Sequence, residues 1–444
     1  MRINIPYGAS FIIERLAQHG FSAYLVGGCV RDAVMDREVN DWDITTSALP
    51  EQICEIFADL KVIKTGLAHG TVTVMLDGEG YEVTTFRSDG EYTDHRHPDQ
   101  VSFASDIVDD LSRRDFTVNA MAYNPQSGLV DRFGGIADIE DKIIRAVGDP
   151  NLRFEEDALR ILRGLRFASQ LGFDIDPNTK KAMHDTKDLL KFVSGERIYE
   201  EICKLIMGDN AQKVLLDFAD VISVAVPEIA LSVGFDQRNK HHIYNVWEHT
   251  VHAISNSPKD LICRLVMLLH DSGKPDTFSV DVEGTGHFYG HAKVSAQKAE
   301  KFFERSGAGN NIKELCCSLI NLHDSDLFSG ERSIRRWLGK LGLDNLLRLI
   351  DIKRADNLAQ APEYMDRLEK LAATRSKVLD VAASQPCVSK SMLAVDGNHI
   401  KALGYTGREI GIVLDELLDA VIDGRCENTE DALLKYSSDR GQCR

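Results

Sequence analysis

At 444 residues the chain exceeds what one hydrophobic core can serve and should divide into roughly two to four domains. With 43% apolar and 27% charged residues it has ample surface to bury, and it lacks the continuous apolar run that a membrane span needs. A net charge of −17 weighs against a protein that coats nucleic acid through a broadly basic surface, but leaves room for a local basic groove.

The opening "MRINIPYGAS" lacks the charge-then-apolar pattern of a signal peptide. The nine cysteines are scattered without a CxxC pair, the usage of a reducing compartment. A cytoplasmic address is therefore expected.

In chain order, "AYLVGG" predicts a short buried strand and "DWDITT" a second. "GTVTVML" and "YEVTTFR" alternate around "DGEG" as a β-hairpin, while "CVRDAVMD" and "PEQICEIFADL" have helical periodicity. After about residue 150 strand signals almost vanish, and "FEEDALRILRGLRFASQL", "DLLKFVSGERIYEEICKLI" and "AQKVLLDFADVI" read as amphipathic helices. Histidines enter near residue 236, seven of them between His241 and His291, and the last 80 residues read as a helical tail. The expected fold class is α+β: a small mixed head at 1–148, a helical neck and body at 149–235, a histidine-rich helical domain at 236–360 and a tail at 361–444.

Gly27 and Gly28 follow the first strand and open a helix. Glycine lets backbone N–H groups approach a phosphate, and the helix terminus favours the anion; a simple tight turn would use the same residues. Asp41 and Asp43 alternate in the "DWD" strand, so their carboxylates share a face while Trp42 points away. Two carboxylates that close repel unless a cation lies between them, and hard oxygens of this kind suit Mg²⁺ with nucleotide phosphates. Glu82, on a neighbouring strand, would be a third. An exposed strand decorated with acids is the alternative.

The motifs "LVGGCVRD", "DWD", "FRSDGEYTDHRHPDQV", "DLSRRDFTVNAMAY" and "EEDALRILRGLRF" occur in that order. Over roughly residues 20–205 the chain thereby resembles the class II nucleotidyltransferases, which include CCA-adding enzymes and bacterial poly(A) polymerases. The resemblance implies that Asp41 and Asp43 bind the catalytic Mg²⁺, beside the candidate catalytic Glu82 read from the strand pattern, and that Gly28 and Arg31 contact the incoming nucleotide. It further implies that Arg114, Asp115 and Asn119 hold the triphosphate and sugar. The chemistry agrees, since nucleotidyl transfer needs metal at the 3′-hydroxyl and pyrophosphate and arginines on the triphosphate, but no covalent nucleophile.

"LRFEEDALRILRGLRF", residues 152–167, reads as one helix. Cytosine and adenine each present an amino donor beside a ring-nitrogen acceptor, so a carboxylate next to an arginine fits C and A and mismatches U and G. Asp157 and Arg160 lie one turn apart and could imitate a base edge, with Arg163 and Arg166 continuing toward the phosphates or primer. By the resemblance Glu156, Asp157 and Arg160 read the base; Glu156 and Arg160 are equally spaced for an ordinary ion pair. The polar segment 88–106 is the expected mobile element for switching from CTP to ATP.

"VWEHTVHAI", "LLHDSGKPD", "GHAKVSA", "LINLHDSD" and "IKRADNLAQ" place neutral imidazoles and carboxylates at separated helical positions, as a transition-metal site does. His270-Asp271 resembles the HD phosphohydrolases, which implies His249, His270, Asp271 and Asp356 as ligands, with His291 and His323 suiting a second metal. Each histidine taken singly is also consistent with a satisfied core residue.

Together these readings predict an enzyme that adds C, C and A to tRNA 3′ ends from CTP and ATP with Mg²⁺ and no nucleic-acid template. A phosphohydrolase activity using Mn²⁺, Co²⁺ or Ni²⁺ is the second expectation. The rivals are a poly(A) polymerase, an enzyme adding only the final A, and an HD phosphohydrolase whose head merely binds RNA.

Overall fold

In the computed structural model, residues 3–67, 70–89, 101–104, 106–239, 243–326, 330–360, 366–384 and 386–441 are described. The chain forms two units, Met1–Ala230 with Phe302–Ala308, and Leu231–Lys301 with Gly309–Arg444.

The first unit starts with α1 (Tyr7–Gln18), β1 (Ala23–Val26), α2 (Gly28–Val34), β2 (Ile44–Thr46), α3 (Pro50–Ile56) and β3 (Lys61–Ile63). The expected hairpin follows as β4 (Thr71–Leu76) and β5 (Glu79–Thr85). Its turn residues Asp77 and Gly78 both have positive φ, 50° and 88°, the mirror-image turn that matches strand twist. Then come β6 (Arg87–Asp89), β7 (Val101–Phe103), α4 (Ile107–Ser112), β8 (Met121–Asn124), β9 (Gly128–Asp131), α5 (Gly135–Glu140) and β10 (Ile143–Ile144).

Among the described residues the strands β3-β4-β5-β2-β1-β8-β9 form one mixed sheet, antiparallel except where β2 runs parallel to β5. One face packs Leu25, Ile44, Val72 and Val83 under Ile12 and Leu16 of α1 and Ile53 of α3. The other packs Val26, Phe86 and Ala122 under Ile107 and Leu111 of α4. Burying each such side chain contributes about 1.5–3 kcal/mol before chain entropy is counted. Both faces of the sheet are therefore covered. The ends of the expected mobile segment pair as β6 and β7; residues 90–100 and 105 lie outside the described residues.

The helical remainder of this unit comprises α6 (Pro150–Glu156), α7 (Leu159–Leu171), β11 (Asp174–Ile175), α8 (Pro177–Thr186), α9 (Gly195–Ile206), α10 (Ala211–Asp217) and α11 (Ala219–Ala225). Stretch 152–167, expected to be one helix, is two. Asp157 is extended (φ −142°, ψ 102°), and its Oδ1 accepts from Leu159 N at 3.1 Å, starting α7 afresh. The local capping option of an aspartate outcompetes helix continuation.

The second unit comprises α12 (Val246–Asn256), α13 (Leu261–Leu269), α14 (Lys274–Thr277), the pair β12 (Ser279–Val280) and β13 (Gly286–His287), α15 (His291–Arg305), α16 (Asn310–Leu322), α17 (Glu331–Leu358), α18 (Asp366–Ala383), α19 (Gly397–Ala402), α20 (Arg408–Ile422) and α21 (Glu430–Gly441). The end of α15 belongs to the first unit. Ile334, Leu346 and Ile350 of α17 share a core with Val378 and Val381 of α18, so helices on either side of residue 360 pack together. Among the described residues no helix is long and apolar enough to cross a membrane.

Candidate functional site

In the head, Gly27 takes φ 79° and ψ −131° to turn the chain from β1 into α2. A Cβ there would lie 2.8 Å from Arg114 Nη1, whereas one at Gly28 would find its nearest neighbour, Arg31 Nη2, at 3.8 Å. Of the two glycines, Gly27 is the one that must lack a side chain.

Asp41 and Asp43 precede β2 instead of lying in it. β1 ends at Val26, whose N–H donates to the Asp43 carbonyl at 3.1 Å, and the turn at Gly27 leaves nothing for earlier residues to pair with. The expected alternation survives: both carboxylates are exposed while Trp42 packs on the head core. Glu82 arrives from β5, one position before Val83, which is paired with Ile44. Crowding by protein, then the Glu82 charge, then Asp41 push the Asp43 carboxyl above its ordinary range, against the pull of Arg114. Although Asp43 is open to solvent, its surroundings are dense enough for this to hold. Three hard oxygen donors whose like charges repel suit a divalent cation between them.

Arginines sit behind them. Arg31 donates from Nε and Nη2 to Asp32 at 2.9 Å each and from Nη1 to Asn119 Oδ1 at 2.7 Å. Arg114 Nη2 reaches Asp110 Oδ2 at 3.3 Å, and Arg113 Nη2 reaches Asp110 Oδ1 at 2.7 Å. The sequence reading missed Asp110, fully buried, although its place three and four residues before the arginine pair is a visible i, i+3, i+4 signal. Asp115 accepts from Arg163 Nε at 2.7 Å and from Asn119 Nδ2 at 3.2 Å. Burial raises its pKa, yet the Arg163 charge and these hydrogen bonds outweigh burial and lower it to about 2.

Beyond the helix break, Asp157 Oδ2 accepts from Arg197 Nη2 at 2.8 Å. Arg160, 8% exposed, donates to Glu156 Oε2 at 2.5 Å, to the Arg153 carbonyl at 3.1 Å and to the Arg113 carbonyl at 3.1 Å. Glu156 also pairs with Arg153 at 2.7 Å, so it is the ion-pair residue that its spacing allowed. Arg166 pairs with Glu201 at 2.7 Å. Arg31, Arg163 and Arg166 all lie over the Phe167 ring, at 5.2, 5.6 and 4.2 Å. Arg197 and Glu201, one turn apart on α9, were also missed; only the fold shows that they face the Asp157 to Arg166 stripe.

In the second unit, His249 from α12, His270 and Asp271 after α13, and Asp356 from α17 present ligand atoms within 4.8 Å of one another. Asp271, His291 and His323 form a second such group that shares Asp271. The Nδ1 atoms of His249, His270, His291 and His323 meet the carbonyls of Ala359, Met267, Phe288 and Ile320 at 3.1, 2.7, 2.9 and 2.6 Å. A carbonyl only accepts, so each Nδ1 carries the hydrogen and each neutral ring turns an Nε2 lone pair inward.

Those inward atoms are short of donors. His291 Nε2 and His323 Nε2 face each other at 3.2 Å, and the buried His270 Nε2 has no hydrogen-bond partner. Lys274 Nζ lies 2.7 Å from Asp271 Oδ2 and donates to Gln237 Oε1 at 2.9 Å. Burial pulls His270 down, but Asp271 and Asp356 overcome it and hold it at about 10, while burial and then His270 push His323 down to about 3. Without a cation the cluster must hold protons unevenly; the donor set fits a metal.

A poly A polymerase head domain family matches residues 23–145, a probable RNA- and SrmB-binding region of polymerase A matches 172–230, and an HD domain family matches 240–361. The CCA-adding enzyme of Levilactobacillus brevis is 47% identical over 439 residues, with 96% of each chain covered. That of Lactobacillus helveticus is 35% identical over 430 residues, again with 96% of each covered. The crystal structure of Bacillus stearothermophilus CCA-adding enzyme in complex with CTP matches with a TM-score of 0.77 at 30% identity, covering 98% of this chain and 97% of that one. The Thermotoga maritima CCA-adding enzyme complexed with tRNA shares the fold, with a TM-score of 0.58 at 20% identity, covering 99% of this chain and 100% of that one.

Proposed function

This chain belongs to the CCA-adding enzymes, and we propose which of its residues perform the addition and what its second unit does. It is a nucleotidyltransferase that adds C, C and A to tRNA 3′ ends from CTP and ATP without a nucleic-acid template. The observation that supports the site assignment is that Asp43 feels the charges of Glu82, Arg114 and Asp41, with Arg114 lying against Gly27 at the end of β1.

In our reading the head, 1–148, performs transfer, the neck at 149–235 reads the base, 236–360 is a metal-dependent hydrolase, and the tail at 361–444 with the body holds the tRNA. Asp41, Asp43 and Glu82 hold Mg²⁺, which when bound activates the primer 3′-hydroxyl and shields the leaving pyrophosphate. Arg31, oriented by Asp32 and Asn119, and Arg114, oriented by Asp110, neutralise the triphosphate as the bond from its α-phosphorus to pyrophosphate breaks. Gly28 gives main-chain access to the nucleotide, and Asp115 and Asn119 hold its sugar.

Asp157 accepts the exocyclic amine of C or A, and Arg160 donates to the neighbouring ring nitrogen. Arg160 already serves two main-chain carbonyls, so reading a base requires it to share or release one of them. Arg163 and Arg166 lie on the phosphate side. A cytoplasmic address is part of this reading, supported by eight free cysteines among the described residues.

The test supplies Mg²⁺ and tRNAs ending before CCA, after CC and after CCA, with CTP, ATP, UTP and GTP singly and together. Three additions that stop, made only with CTP plus ATP, are expected. Long A tails would select a poly(A) polymerase, and extension of the CC end alone an A-adding enzyme. Asp41→Asn and Asp43→Asn should each abolish incorporation with unchanged circular dichroism, and substantial turnover in either sinks their assignment.

A second activity has its own support. Four histidines with Nδ1 fixed on carbonyls, the buried Asp271 and the partly buried Asp356 favour Mn²⁺, Co²⁺ or Ni²⁺ at His249, His270, Asp271 and Asp356, with His291 and His323 completing a second site. When bound, such a metal supplies a nucleophilic water for phosphate ester hydrolysis. Phosphatase assays with each metal test this; metal-free protein that takes up none of the three on titration would leave a structural module.

A further inference from the structure

Beside the second unit's histidine cluster is an open cavity of about 290 Å³, reached by Asp271, His291, His323 and Asp356 on one side and by His287 and Tyr289 on the other. Tyr289 is 78% exposed, which is unusual for a large ring beside a polar site. It is not loose. Its ring stacks on that of His287 with centroids 5.4 Å apart and planes only 8° from parallel, an offset stack.

His287 is fixed in turn. Its Nε2 meets Asp281 Oδ2 at 2.8 Å, and Asp281 Oδ1 accepts from Glu283 N and Thr285 N at 2.9 Å each, which locks the turn between β12 and β13. On either side of this turn in the chain, Phe278 packs edge-on against Phe235 at 5.2 Å and lies 5.5 Å from Phe288. Gly286 fits so closely that a Cβ there would fall 2.2 Å from the Gln237 carbonyl. The Asp281 turn and the close-fitting Gly286 fix His287, and His287 in turn holds one flat, exposed ring at the rim of the cavity.

We infer that Tyr289, stacked on His287, is a nucleobase platform that makes the second unit selective for phosphates carried on a nucleoside. The inference rests on the phosphohydrolase reading of the histidine cluster. A π-face recognises any base without reading its edge, and a rigid one loses little entropy on binding. The base would lie on Tyr289 while the phosphate enters toward Asp271 and the buried Lys274, whose charge is already turned inward. Tyr289 acts on binding and specificity and takes no part in bond breaking.

The test uses the full chain with added Mn²⁺ and compares kcat/KM for adenosine 2′-monophosphate with that for glycerol 2-phosphate, which has no base. In Tyr289→Ala the ratio of the two should fall by about tenfold, within what one base stack supplies, and Tyr289→Trp should restore it. An unchanged ratio in Tyr289→Ala overturns the proposal. If the unaltered chain hydrolyses neither compound, the phosphohydrolase reading fails by itself. The platform is then decided by calorimetric binding of adenosine 2′-monophosphate: a Kd about tenfold weaker in Tyr289→Ala supports it, and equal affinity, or no binding by the unaltered chain, overturns it.

Discussion

Replacing Arg160 by methionine keeps an apolar stem but shortens the side chain and removes every charged hydrogen bond it makes. Three are lost, to Glu156 Oε2 and to the carbonyls of Arg153 and Arg113. Hydrogen bonds from a charged donor contribute about 1.5–3 kcal/mol each. Glu156 keeps Arg153 at 2.7 Å, and the Arg153 carbonyl keeps Asp157 N at 3.4 Å, so the sum is not additive. A net loss of about 3 kcal/mol is expected, which for a unit of this size lowers Tm by roughly 6–12 °C. That loss affects all nucleotides alike. Base reading is separate: a carboxylate and guanidinium matched to C and A discriminate by about 1–3 kcal/mol, so the ratio of kcat/KM for CTP to that for UTP should fall roughly 5-fold to 150-fold. Single-nucleotide incorporation on tRNA ending before CCA, run well below the lowered Tm, measures it. A variant with reduced Tm and an unchanged CTP to UTP ratio would refute the reading and leave Arg160 as a clamp across the helix break.

Asp115 gives a pH signature. Its folded pKa of about 2 lies below the ordinary 3.8, so its pairing with Arg163 stabilises fully above about pH 4 and the contribution vanishes as pH falls through about 2. Roughly 2 kcal/mol is at stake. Asp115→Asn should therefore unfold at lower urea concentration than the unaltered chain at pH 7, with the gap narrowing in acid; a gap independent of pH contradicts the assignment. Gly27→Ala, forced to φ 79° with its Cβ 2.8 Å from Arg114 Nη1, should cost about 1 kcal/mol and raise the KM for CTP and ATP, whereas Gly28→Ala should do much less. His249→Ala should lower bound Mn²⁺ measured by elemental analysis and abolish phosphate ester hydrolysis while leaving CCA addition intact; lost CCA addition in a folded variant would show that the two units are not separable in function.

What the sequence determined by itself was whatever local pattern encodes. Asp77-Gly78 specified the hairpin because few other residue pairs accept two positive φ angles, and alternation put Asp41 and Asp43 opposite Trp42 although the strand starts only at Ile44. The ordered motifs and the histidine positions made the reaction class legible, since chemistry restricts which side chains can hold a triphosphate or a metal. Tertiary structure decided the rest, because partners far apart in sequence leave no periodic trace. Continuous helical spacing through 152–167 concealed the break at Asp157, which is held by Arg197 forty residues on. Spacing could not say that Gly27, and not Gly28, lies against Arg114, because that contact joins the first strand to a helix end almost ninety residues later. Nor could it orient the imidazoles: which nitrogen faces inward is set by carbonyls, and for His249 that carbonyl, on Ala359, comes from 110 residues on.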